Sequence, residues 1–222
     1  MSEPSYFDDY NAARALYDEA ISWVGTPFRE YYQQELEIPN PHLPKPDPKG
    51  SGGGIDCIGL VQEVYLRSGA AEKFIFERTS ADYQSHQAGE KILDWIRGKA
   101  DDPQSKRLGE IFVELEIPEQ AKDPDAETPR DFFKPGDILV LRHGSLFHMP
   151  VIIDDDLHFV NAVPRMGVIE GTIQDSTFSR HLVAAFRLKP RALNAVRDVN
   201  VGSTPAARIS DISEITSVDK PK

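Results

Sequence analysis

The chain of 222 residues holds a single cysteine, Cys57, in the stretch SGGGIDCIGLVQEVY, together with six histidines. A lone thiol offers two roles. It can be a small core hydrophobe, the ordinary fate of a free cysteine. It can also be a nucleophile, which needs a helix N-terminus or a nearby imidazolium to lower its pKa and a base to take its proton. Two features of the stretch favour chemistry. The glycine run lets a substrate backbone approach closely, which makes Gly54 a candidate contact. Gly59, inside the helix that follows, costs about 1 kcal/mol against alanine and is a poor choice for packing alone.

The base must come from the histidines. His42 and His86 lie in a loop and on a solvated helical pattern, and His181 opens a strand, so each reads as a surface residue. His143 and His158 flank strands. His148 sits inside the apolar strand LFHMPVII, where an unpaired imidazole is costly. The next strand, LHFVNAV, carries Asn161. If Asp154 and Asp155 form a two-residue turn, Ile153 pairs with Asp156 and His148 falls opposite Asn161. A four-residue loop keeps the two on one face, diagonally related, and an odd loop puts them on opposite faces. A buried His–Asn hydrogen bond without catalysis and a base held by its orienter both satisfy this pattern. One cysteine and scattered histidines show no metal-ligand spacing, so neither metal nor cofactor is expected.

Positioning these groups requires particular elements. DYNAARALYDEAISWVGTP reads as a first helix, with Leu16, Ala20, Ile21 and Val24 on one stripe and Gly25 just past its end. A loop of prolines and glycines follows to Ile55. DCIGLVQEVYLRSG is a second helix with Asp56 as N-cap, and Cys57, Leu60, Val61 and Val64 share its inward face. The thiol therefore meets the sheet at its rim. The macrodipole and free N–H groups at that helix end favour a negative charge. A weaker helical pattern covers Ser80 to Arg97, and EIFVELEI is a short strand-like piece. Then GDILVLR, LFHMPVIID, LHFVNAV, MGVIEGTI and LVAAFRLK follow as five strands, suggesting an antiparallel meander. Helices first and strands after make the class α+β. The domain is expected over residues 1–190, with an inserted segment at about 98–131 and a flexible tail over 191–222.

The net charge of −11 argues against nucleic acid or an anionic membrane as the main partner. The N-terminus is acidic and lacks the apolar stretch of a secretory signal, and no apolar run approaches the roughly 20 residues of a membrane span. A cytoplasmic setting is the expectation, with a phage virion or another export route as alternatives.

GIDCIGLVQEVY resembles the nucleophile motif of the NlpC/P60 cysteine peptidases, D-C-S/x-G-L-V. ALYDEAISWVGTPFR is similar to the helix and G-T-P-Y/F segment before it, ERTSADY to the R-T-S stretch after it, and FKPGDILVLR to the P-G-D-L strand. FHMPVIIDDDLHFVNA resembles the H-V-G-I segment that ends in F-I-H-A. MGVIEGTI and SRHLVAAFRL are similar to the final strands, especially those of the phage tail-associated branch. The match runs in order over residues 12–189. It implies a papain-like fold, with N-terminal helices packed on a five-stranded antiparallel sheet. Residue by residue, it implies that Cys57 is the nucleophile, His148 the general base and Asn161 the orienter, a place more often held by histidine.

The resemblance further implies hydrolysis of γ-D-glutamyl–diamino acid amides in short bacterial cell-wall peptides, with Asp56 near the free amine of the peptide. Phe28 stands where many members carry a tyrosine near the thiol, and Tyr31 or Tyr32 is a candidate replacement. Ile58 replaces the common serine, Pro150 replaces a glycine, and the insertion is longer than usual. From other classes come a non-catalytic structural or tail-tip protein that kept the fold, and a thiol acyltransferase. A phage tail or another protein is a candidate partner.

Overall fold

A computed structural model describes residues 3–28, 54–70, 89–101, 103–121, 132–144, 146–174, 178 and 180–190, the side chains at 89–91, 104 and 146 excepted. Tyr31, the glycines at 51–53, the ERTSADY stretch and the tail over 191–222 lie outside the described residues. Asp9 caps the first helix, α1 (Tyr10–Ile21), its side chain accepting the Ala12 N–H at 3.0 Å. Leu16 and Ala20 are its buried positions. The helix closes at Ile21, so Val24 leaves the expected stripe and is exposed. Trp23 is the buried residue instead, its indole N–H donating to Glu19 at 2.8 Å.

Gly25, at φ 86°, turns the chain as the sequence suggests. The segment after it pairs with the sheet edge. Gly25 N–H donates to Val168 O at 2.9 Å, and Val168 N–H to Thr26 O at 2.8 Å. A side chain at Gly167 would stand 2.5 Å from Thr26 O, so that position admits only hydrogen. Phe28 then bridges Ile55 in parallel, and Ile55 N–H donates to Pro27 O at 3.0 Å. The G-T-P-F segment thus ties the sheet edge to the start of α2 (Cys57–Arg67).

Of the weak third pattern, residues 80–88 lie outside the described residues and the rest forms α3 (Gly89–Ile96); a helix that the sequence pattern does not show, α4 (Pro103–Ile111), follows it. The two cross closely: a Cβ at Gly109 would lie 2.8 Å from Arg97 O. Ser105, fully buried, donates to Trp95 O at 2.8 Å. The strands are β1 (Phe112–Glu114), β2 (Ile138–His143), β3 (Leu146–His148), β4 (Val151–Ile152), β5 (His158–Val163), β6 (Gly167–Thr172) and β7 (Leu182–Leu188).

All seven strands form one antiparallel sheet in the order β1-β7-β2-β4-β5-β6, with β3 also on β2. This corrects the five-stranded meander in two ways. β7 returns to the far side of β2, away from β6. EIFVELEI supplies an added edge strand, Leu115 N–H donating to Ala185 O at 2.9 Å. The described part of the expected insertion is therefore built into the fold, with Leu108 and Ile111 in the main core.

Both sheet faces are buried, by different means. One carries Ile138, Val140, Met149, Val151, Ile153, Val160, Ala184 and Phe186 against residues from α1, α2, α3 and α4. The other carries Leu139, Leu141, Ile152, Phe159, Leu182 and Ala185 beneath connecting residues such as Leu115, Phe133, Leu157 and Phe178. At one end of β2 the P-G-D motif organises a buried ion pair. Gly136 has φ 82°, and Tyr65 of α2 donates its hydroxyl to Gly136 O. Asp137 takes two hydrogen bonds from Arg187 of β7, at 2.8 and 2.6 Å. Arg187 also donates to Glu3 O at 2.6 Å and Phe132 O at 2.7 Å, joining the N-terminal segment to the sheet.

Candidate functional site

Asp56 starts α2 as expected. Its backbone is extended, and its carboxylate accepts the Gly59 N–H at 2.7 Å. Gly59 itself is buried on the helix, consistent with close packing at that turn. Cys57 is the first helical residue, 3% exposed, and belongs to the helix-side core. Its thiol is not depressed as an activated cysteine would be. Burial pushes it up to about 12, and the neighbouring Asp56 carboxylate adds to the rise. Backbone N–H groups of Met149, Ile58 and Cys57 pull the other way without prevailing.

The Met149 N–H locates the sulfur on the sheet. β4 pairs with β5 through Val151↔Val160 and Ile152↔Phe159. In that register Met149 would face Ala162, yet the pairing stops at Val151. β3 stays on β2 alone, through Leu141↔His148, and Met149 and Pro150 interrupt the strand. Pro150 suits such a break, since it has no N–H to contribute to a ladder. Where the sheet opens, Met149 directs its N–H to Cys57 instead of to a strand. The thiol thus meets the rim of the sheet, one residue along the chain from His148.

The hairpin register differs from the two-residue turn. Ile153 N–H donates to His158 O at 2.8 Å, so four residues, Asp154 to Leu157, make the loop. Leu157, at φ 65°, accommodates it, and Asp154 closes it by accepting the backbone N–H of His158 at 3.0 Å and meeting its Nδ1 at 2.7 Å. This pairing raises the His158 pKa. His148 and Asn161 share a face, the one opposite the helices, by the alternation of β3 and β5. Both are buried, at 7% and 5% exposure. The expected hydrogen bond between them is absent: Asn161 Oδ1 is buried with no hydrogen-bond partner among the described residues.

The ring beside His148 belongs to His143, with centroids 5.9 Å apart and planes at 72°. His143 in turn lies 3.8 Å from His181 at 34°. Burial, then the charge of His181, lowers the His143 pKa. From the sequence His143 reads as flanking a strand and His181 as a surface residue opening one. The signal that could have found them is strand register: His143 is two residues from Leu141, the partner of His148.

Of the remaining candidates, Gly54 is buried just before Ile55, and Phe28 is half-buried beside it on the helix-side core. Tyr31 lies outside the described residues. No group of three or more His, Cys, Asp or Glu side chains suited to a metal occurs among the described residues. No described helix is long and apolar enough to cross a membrane. The chain matches no protein-family model, and comparison with curated proteins finds no match.

Proposed function

We propose that the chain is a thiol amidase of the NlpC/P60 kind, on a papain-like fold, that hydrolyses γ-D-glutamyl–diamino acid amides in short bacterial cell-wall peptides. One observation carries this reading: Cys57 opens α2 at the split in the sheet, under the N–H of the residue that follows His148. The order of motifs along the chain supports it. The thiol, held near 12, does not rest as a preformed anion, so proton removal accompanies attack. His148, whose side chain rests on the sheet face opposite the thiol, has to turn past the break at Met149 and Pro150 to take the proton as sulfur bonds to the amide carbonyl carbon. The Cys57 N–H stabilises the oxyanion. His148 then protonates the leaving amine as the C–N bond breaks, and water attacks the thioester to release the acid and restore the thiol.

Asp56, besides capping α2, meets the free amine of the substrate peptide, and Phe28 and Gly54 line the approach. No metal or other cofactor takes part. The setting is recycling of wall fragments in the cytoplasm or service in a phage tail. Incubation with defined muropeptides, read by mass spectrometry, tests the proposal. Cys57→Ala and His148→Ala must each abolish cleavage while leaving the fold intact, and activity retained in either ends the reading.

A second reading is favoured by the buried, high-pKa thiol and by the missing His148–Asn161 bond: a structural protein that keeps the fold without the chemistry. It requires that wild-type protein cleave none of the peptides.

A further inference from the structure

We propose that His143, and not Asn161, is the residue that positions the His148 ring, with His181 stacked behind it as support. The proposal rests on the reading of His148 as the base. His143 ends β2 and lies diagonally across the β2–β3 pair from His148, on the same face. The two rings meet edge to face at 5.9 Å, an arrangement that aromatic rings favour and that restricts the plane of each. His143 is held in its turn. Its other neighbour, His181, lies at 3.8 Å. His181 is fixed by its own chain, since Arg142 N–H donates to His181 O at 2.7 Å. The His181 Nδ1 stands 3.0 Å from Arg142 O, a carbonyl that can only accept, which assigns the proton to Nδ1. Three imidazoles thus form a row from the last residue before β7, through the end of β2, to β3.

Asn161 Oδ1 accepts no hydrogen bond among the described residues, although the residue is buried on the same face. Among the described residues, the rings facing His143 are His148 from β3 and His181 from the approach to β7. The adjacent Arg142 is directed elsewhere, its guanidinium 5.9 Å from the Phe147 ring and its Nε donating to Gly144 O at 3.1 Å. A lowered pKa keeps His143 neutral near pH 7, so it adds no charge against an imidazolium at His148.

Alkylation of Cys57 by iodoacetamide, followed as a rate constant from pH 5 to 10, tests this without a substrate. Wild type is expected to show a His148-dependent inflection, removed in His148→Ala. His143→Phe keeps the edge-to-face ring and should hold the wild-type profile. His143→Ala removes the ring and should lower the rate at pH 7 by roughly 5–10-fold and move the inflection, with the melting temperature unchanged. His181→Ala, which leaves His143 in place, should give a smaller loss. An unchanged profile in His143→Ala, or an equal loss in His143→Phe, with His148→Ala still altering it, overturns the positioning role alone. An unchanged profile in His148→Ala overturns the base and this proposal together.

Discussion

Replacing Arg187 by methionine should be among the most damaging single changes to the fold. The side chain is 1% exposed and its partner Asp137 is 0% exposed. Methionine preserves the apolar stem and removes the guanidinium, leaving a buried carboxylate with only the Lys134 N–H at 2.9 Å. Glu3 O and Phe132 O lose the donors they now have. Breaking one side of a buried pair costs about 3–5 kcal/mol. For a chain of this size that is a fall in Tm of roughly 6–20 °C.

The pH dependence gives the cause away. Burial raises Asp137 from 3.8 to about 6 even against the two Arg187 hydrogen bonds, and removing them raises it further. A carboxyl raised in the folded state favours the fold below its unfolded value, and that stability is lost as pH rises through the folded value. Near pH 5 Asp137 is mostly neutral in both proteins, so the variant lacks only hydrogen bonds. At pH 8 it must also bury an unpaired charge. Thermal and urea unfolding by circular dichroism should therefore show a larger deficit at pH 8 than at pH 5. A deficit under about 1 kcal/mol, or one that is equal at the two pH values, would refute the reasoning.

Asn161→Leu should leave the melting temperature within about 2 °C, because the lost amide oxygen has no partner among the described residues and the site already borders an apolar face. Turnover should fall less than roughly 10-fold, and a loss above 100-fold would restore Asn161 as the orienter. Asp56→Ala removes the cap on Gly59 N–H and should cost about 1 kcal/mol in chemical denaturation. It also removes the negative charge that helps raise the thiol, so alkylation of Cys57 at a fixed pH should quicken while peptide turnover falls through loss of the substrate amine contact. Slower alkylation would show that the cap, and not the charge, governs the sulfur.

The start of α2 was legible because its signals agree: an N-cap aspartate, an apolar stripe three and four residues apart, and glycine at the close. The strands were legible from alternation, and Gly25 and the P-G-D turn from residue type. α4 was not, since PQSKRLGEI carries few apolar residues and takes its place through Ser105 and the close approach at Gly109. The path of β7 across to β2 depends on pairing between distant segments, which local alternation does not encode. The hairpin register turned on whether the run of three aspartates makes a two- or a four-residue loop. The Asp154–His158 pair and the left-handed Leu157 choose the longer one. The thiol was read as activated from its place at a helix end, but burial and Asp56 outweigh the N–H groups there. That balance requires knowing how much water the fold excludes.

The central claim is that Cys57 attacks an amide despite its burial. The most direct measurement is intact-protein mass spectrometry after acid quenching of a short incubation with a γ-D-glutamyl–diamino acid peptide, alongside analysis of the peptide itself. An acyl adduct on Cys57 and release of a new amine at the diamino acid are expected in the wild type, and neither in Cys57→Ala. Equal cleavage by Cys57→Ala, or peptide left intact by the wild type, would contradict it.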